Sequence, residues 1–371
     1  MTIPLLDLRA QFRAIRDDVM PALLEVIERQ QFIMGDEVAR LEQAVAELSG
    51  AAHGIACASG TDALLLPLKV LDLQPGDEVI TTPFTFFATA GAIWNAAGRP
   101  VFVDIERRSF NIDVTAVEAA ITPRTRAMVP VHLFGQMAPM ERVMALAARH
   151  GLAVIEDAAQ AIGARRQIGG GWRMAGELGT AGALSFFPSK NLGAWGDGGM
   201  IVTQDAVLAE RLRKLRTHGG AKQYHHEEVG TNSRLDTLQA AVLLAKLPHL
   251  GAWSAARRER AARYTAALAG LDALTTPWVD PANEHIFHQY TIRTPRRDAL
   301  RQRLMERGIG CAVYYPTPLH LQPCFRDLGH RAGAFPESER AAAEALSLPI
   351  YPELSPESQE RVVAAVREIC A

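Results

Sequence analysis

Leu152-Ala153-Val154-Ile155-Glu156-Asp157-Ala158-Ala159-Gln160 is the stretch on which the fold of this chain turns. Its apolar half is short, does not alternate and stops at two carboxylates, as a strand buried on both faces does where it reaches a ligand-bearing edge. Outward from it, strands predicted at residues 77–82, 101–105 and 127–134 alternate with helices at 87–97, 114–121 and 140–150. Downstream come strands at 182–187 and 200–203 and a helix at 206–217. This βαβ alternation predicts an α/β fold, a large domain with a mostly parallel sheet flanked by helices. Chemistry in such a sheet gathers at the carboxyl ends of the strands.

The 371 residues exceed one ordinary core. Residues 1–245 are read as the large domain, with N-terminal helices at 19–30 and 37–48, and residues 246–371 as a bridging helix and a small C-terminal α+β domain. The bridge is an Ala-, Leu- and Arg-rich helix predicted from Arg234 to about Leu271, bent at Pro248. Beyond it the pattern gives strands at 288–294 and 311–315 and helices at 298–307, 337–346 and 356–369.

Composition narrows the function classes. With 48% hydrophobic and 22% charged residues and a net charge of −2 spread along the chain, there is no basic footprint for nucleic acid. No apolar run is long enough to cross a bilayer, and the N-terminus lacks a secretory signal pattern, so a cytoplasmic location is expected. Cys57, Cys311, Cys324 and Cys370 are scattered without a Cys-x-x-Cys pair and are read as free thiols. His285 and His288, three apart in a strand region, do not present both rings to one metal, so no metal site is expected.

Of 39 basic residues only Lys69, Lys190, Lys214, Lys222 and Lys246 are lysines, which makes the search for a reactive amine short. Lys214 and Lys246 fall on helices and read as solvated surface amines. Lys190 lies in Ser185-Phe186-Phe187-Pro188-Ser189-Lys190-Asn191-Leu192-Gly193, after a strand and before a glycine cluster where backbone approaches a ligand closely. By itself it is either an ordinary loop lysine or an amine tuned by a desolvated pocket. Asp157 is either a helix N-cap or a buried carboxylate that needs a cation such as a protonated pyridine nitrogen. Ser59-Gly60-Thr61-Asp62 either caps a helix or offers free backbone N–H groups to a phosphate, and the Ser185 hydroxyl either joins that phosphate or bonds to backbone. Phe84 and Phe86 either stack on a planar ring or pack in the core.

Order and wording of these motifs resemble the DegT/StrS family of sugar aminotransferases, which have the type I fold of pyridoxal phosphate enzymes. The resemblance runs through Phe32-Ile33-Met34-Gly35, Ser59 to Leu64, Pro83-Phe84-Thr85-Phe86, Glu156 to Gln160, Ser185 to Gly193 and Gly230-Thr231-Asn232-Ser233-Arg234. It implies pyridoxal 5'-phosphate held as a Schiff base on Lys190, with pyridoxamine 5'-phosphate as the intermediate form. Lys190 would also shuttle the proton, Asp157 would pair with the pyridine nitrogen, Gln160 would lie near the ring hydroxyl and Phe86 would stack on the ring. Gly60, Thr61 and Ser185 would hold the phosphate, and Asn232 would reach the phosphate of the neighbouring subunit in a homodimer with shared active sites. The partners implied are a nucleotide sugar and L-glutamate, with no membrane and no nucleic acid.

The stretch from Asn232 to Ala241, preceded by Tyr224-His225-His226, is most similar to the branch that aminates C3 of UDP-2-acetamido-2-deoxy-3-keto-glucuronate, in amino-sugar and O-antigen biosynthesis. The dTDP-3-keto-6-deoxyhexose enzymes are the alternative. Tyr224, His225, His226, Arg234, Tyr315 and His320 are the candidate substrate contacts, against polar-loop or interface roles. The family's dehydratases typically carry histidine at the lysine position, so Lys190 argues against that branch. A non-catalytic sugar-nucleotide binder or regulator on the same fold is the alternative of another class.

Overall fold

The computed structural model describes residues 2–222 and 224–370. In chain order the first half runs α1 (Leu8–Arg29), α2 (Asp36–Leu48), β1 (His53–Cys57), α3 (Gly60–Val70), β2 (Glu78–Thr81), α4 (Phe87–Asn95), β3 (Arg99–Phe102), α5 (Val114–Ala120), β4 (Thr125–Met128), α6 (Met140–His150) and β5 (Ala153–Asp157). It continues through β6 (Arg165–Ile168), β7 (Gly171–Met174), β8 (Ala181–Ser185), β9 (Gly199–Thr203), α7 (Ala206–Leu215), α8 (Thr237–Lys246) and α9 (Leu250–Leu268). The last part holds β10 (Asn283–Glu284), β11 (Tyr290–Arg293), α10 (Arg297–Glu306), α11 (Pro336–Glu344), β12 (Ala345–Leu348) and α12 (Pro356–Cys370).

A seven-stranded sheet in the order β1-β9-β8-β5-β4-β2-β3 forms the centre. β9 runs antiparallel to both its neighbours, and the pairs from β8 to β3 are parallel. Adjacent residues serve opposite faces: Val154 packs with Val38, Leu41, Val143 and Leu243 on one side, and Ile155 with Leu64, Leu68, Ile93 and Leu212 on the other. That two-sided burial is why the strands are apolar without alternation. A separate core gathers Tyr264 and Leu268 of α9, Tyr290 and Ile292 of β11, Leu300, Leu346 and Val362, and Ile3 near the N-terminus joins it. No helix among the described residues is long and apolar enough to cross a membrane.

Several elements depart from expectation. The first helix starts at Leu8, where the Asp7 carboxylate accepts the Ala10 N–H at 2.9 Å, and not near Val19. The predicted bridge does not begin at Arg234: α8 starts at Thr237, and a 3-10 turn at Leu247–His249 carrying Pro248 separates it from α9. Residues 311–315 form no strand, because only Ala312 pairs, with Ser347. Residues 345 and 346 leave the predicted helix and, with 347 and 348, pair with β11. β1 and the β6–β7 hairpin were not anticipated.

Candidate active site

Strand β5 delivers Asp157 to the carboxyl edge of the sheet, beside Ser185 at the end of β8. Asp157 is buried; the Thr89 hydroxyl donates to its Oδ2 at 2.7 Å and the Ala159 N–H to its Oδ1 at 3.2 Å. The Thr85 hydroxyl lies 3.0 Å from that of Thr89. Burial raises the carboxyl above its ordinary pKa, against the opposing pull of Thr89, Ala159, Lys190 and His132. Lys190 sits in the turn after β8, its N–H bonded to the Phe187 carbonyl at 2.8 Å. Burial pushes its amine down to about 8, with Asp157 pulling the other way. Asp157 and Lys190 are thus close enough to act on each other through charge.

Around this pair, α3 begins at Gly60 with Ser59 as N-cap, whose Oγ accepts the Asp62 N–H at 3.1 Å. Ser185 packs on this end so closely that a Cβ on Gly60 would lie 2.6 Å from the Ser185 Cβ. Thr61 is exposed beside it. Gln160 accepts the Phe134 N–H at 2.7 Å and donates to the Tyr315 hydroxyl at 2.9 Å. Tyr315, its phenol pushed up by burial, has its ring 6.2 Å from that of exposed Phe86. Asn232 is exposed, and its neighbour Ser233 donates to Asp62 at 2.6 Å and accepts the Ala58 N–H at 3.2 Å.

The family profile for the DegT/DnrJ/EryC1/StrS aminotransferases matches residues 13–367. This chain belongs to that family. The DegT/StrS enzymes depend on pyridoxal phosphate, and so does this one. The residues present fit that group: a helix N-terminus with a glycine no side chain can replace without displacing Ser185, and a buried carboxylate facing an amine of lowered pKa. As a DegT-family member the chain is 53% identical to the pleiotropic regulatory protein of Geobacillus stearothermophilus, over 99% of this chain and 98% of that one. It is 49% identical to a UDP-N-acetyl-3-dehydro-alpha-D-glucosamine 3-aminotransferase of Acidithiobacillus ferrooxidans, over 98% and 97%. Among solved structures, DesV of S. venezuelae in complex with a ketimine intermediate superimposes with a TM-score of 0.96 at 43% identity, covering 99% of this chain and 98% of that one.

Other candidates lie apart from the DegT-family core. Tyr224, His225 and His226 are exposed in the loop before Gly230, with His226 Nδ1 3.0 Å from the His218 carbonyl. Arg234 is partly buried, and its Nε has no hydrogen-bond partner. His320 is buried, its Nε2 3.1 Å from Glu339 and its ring against Phe335 and His330, so it turns away from the Lys190 pair.

Sequence reasoning missed a supporting layer. His132 accepts the Ala138 N–H on Nδ1 at 3.1 Å, so its Nε2–H donates to Glu156 at 2.8 Å, and both side chains are fully buried. Glu156 also accepts the N–H groups of Gly176, Leu178 and Gly179. Thr85 and Thr89 had a legible signal, hydroxyls four residues apart, the first within the aromatic motif and the second just after it. Lys246, expected on the surface, is instead buried, its Nζ bonded to the Gly193 carbonyl.

Proposed function

We propose that this protein is a nucleotide-sugar aminotransferase that moves the amino group of L-glutamate to the C3 ketone of a UDP-linked 2-acetamido sugar. The observation that carries the reading is the buried Asp157 at the end of β5, its two oxygens held by Thr89 and Ala159, with Lys190 close enough to act on it through charge. Pyridoxal phosphate, when bound, supplies a conjugated ring that withdraws electrons from the substrate carbon. Asp157 would keep the ring nitrogen protonated, with Thr89 and Ala159 fixing the orientation of its carboxylate. Lys190 anchors the cofactor and then, as a free amine, takes a proton from the substrate carbon and returns it.

Gly60, Thr61 and Ser185 would hold the phosphate at the start of α3, Phe86 would lie against the ring, and Gln160, braced by Phe134 and Tyr315, would serve the ring hydroxyl. Asn232 extends to the phosphate of a second subunit, so the working form is a homodimer. Exposed Phe87, Trp94, Phe187 and Trp195 supply apolar surface of the kind such an interface covers. Within each subunit we take residues 1–245 as the cofactor domain and 246–371 as the bridge and small domain. Tyr224, His225, His226, Arg234 and Tyr315 form the sugar-nucleotide side, and His320, buried against Glu339, Phe335 and His330, is left out of it.

The UDP-2-acetamido class is supported by the Acidithiobacillus relative, whose name carries a 3-dehydro-glucosamine. The Tyr224-His225-His226 stretch supports the 3-keto-glucuronate form. Incubating the pyridoxamine-loaded enzyme with UDP- and dTDP-linked 3-keto sugars tests the assignment: rapid return of the aldehyde spectrum with one UDP sugar is expected, and a response to dTDP-3-keto-6-deoxyhexoses alone would replace it. The regulator-like name of the Geobacillus relative motivates one control. A spectrum that L-glutamate leaves unchanged would remove that amino donor from the proposal.

A further inference from the structure

Under the turn that carries Lys190 lies a second buried amine. Lys246 ends α8 at 1% exposure and bonds through Nζ to the carbonyl of Gly193. Gly193 closes that turn so tightly that a Cβ there would lie 2.3 Å from the Pro188 carbonyl oxygen. The same helix grips the following residues, since Gln239 Oε1 accepts the Trp195 N–H at 2.8 Å. Asn191 meets His288 Nδ1 at 3.0 Å and the Ile286 carbonyl at 3.4 Å. The stretch just after Lys190 is thus held at Asn191, Gly193 and Trp195.

Electrostatics make Lys246 a costly clamp. Burial pulls its amine down to about 8, and Glu353 is the carboxylate that holds it up. Glu353 is shared with Arg257 and Arg260, and its Oε2 is buried without a hydrogen-bond partner. Arg257 spends its own Nη1 on the carbonyls of Phe287, His288 and Ile350. For packing alone, an apolar side chain of similar volume would avoid the desolvation of an ammonium. What an apolar side chain lacks is the charge-assisted bond to Gly193, which fixes the orientation of the peptide unit three residues beyond Lys190.

We propose that Lys246 is a positioning residue for Lys190: its ammonium, bonded to the Gly193 carbonyl, holds the turn so that the Lys190 amine meets the substrate carbon. The proposal rests on the reading of Lys190 as the cofactor lysine. A displacement near 1 Å at a reacting amine is enough to slow a reaction about 100-fold, so a carbonyl anchored three residues away has leverage on rate without touching the cofactor.

The test uses the full-length holoenzyme and Lys246→Met, Lys246→Gln and Lys246→Arg. For Met and Gln the expected results are cofactor affinity within about threefold, KM within about twofold, kcat per bound cofactor lower by about tenfold or more, and a displaced midpoint in the pH titration of the bound-cofactor absorbance. Arg should recover most of kcat. Wild-type kcat and titration midpoint in both Met and Gln variants overturn the proposal. So does loss confined to thermal stability and holoenzyme yield, equal in all three variants. If the Met variant does not fold, the Gln and Arg variants decide by the same measurements, and failure of all three to fold makes Lys246 structural only. Borohydride fixation and peptide mapping of the wild type separate this from its premise. Label on Lys190 with silent Lys246 variants removes only the positioning role, whereas label on Lys246 removes both readings.

Discussion

Burial acts on Asp157 and Lys190 in opposite senses, raising the acid and lowering the amine to about 8. A lysine lowered in this way is protonated below about 8 and neutral above it, and only the neutral amine attacks the cofactor aldehyde. The rate constant for pyridoxal phosphate capture by the apoenzyme should therefore rise about tenfold per pH unit below that point and level off above it, as stopped-flow absorbance would record. Asp157→Asn, which keeps the shape but not the charge, should retain cofactor on Lys190 while kcat falls roughly 10²–10³-fold. Thr89→Val leaves Oδ2 of Asp157 buried without its donor and should cost about 1–3 kcal/mol in urea unfolding. Lys190, Asp157 and Gln160 were legible because their chemistry demands particular residue types within short runs. His132, Glu156 and Lys246 were not, since each acts across the sheet or beneath a loop and leaves no local pattern. Lys246 was misread because a lysine ending a helix is commonly solvated, and the Gly193 carbonyl that its Nζ meets lies 53 residues back in the chain.

At the scale of elements, the N-terminus of α3 gives the sharpest expectation. Gly60→Ala would drive a methyl to within 2.6 Å of Ser185, so the helix start or the end of β8 must shift. Equilibrium dialysis should register weaker pyridoxal phosphate binding, by about tenfold, with Lys190 chemistry otherwise intact. The alternating helices and strands around β5 were readable because two-sided burial writes itself as unbroken apolar runs. The C-terminal third was harder. Residues 345–348 sit in an Ala- and Leu-rich segment that favours helix, but pairing with β11 overrides that preference. Residues 311–315 look like a strand because they are apolar and aromatic, yet Tyr315 is directed to Gln160 and not into a ladder.

For the whole molecule, a site shared between subunits makes a prediction that a self-contained site does not. Mixing Lys190→Ala with Asn232→Asp chains, each impaired alone, should restore about a quarter of wild-type activity, because half the dimers are mixed and each of those has one intact site. No recovery after subunit exchange, verified by mass spectrometry, would confine each site to one chain.

The reversed strand β9 bears on how this protein tolerates change. Because β8 leaves the sheet and β9 re-enters it at the same edge, the Lys190 segment is a closed excursion whose two feet share one footing. A change in its length would leave the strand order as it is, since β8 and β9 pair from Gly182 with Val202 to Ser185 with Gly199 whatever connects them. Under the proposed role of Lys190, such a change would be felt at the amine before it was felt by the scaffold.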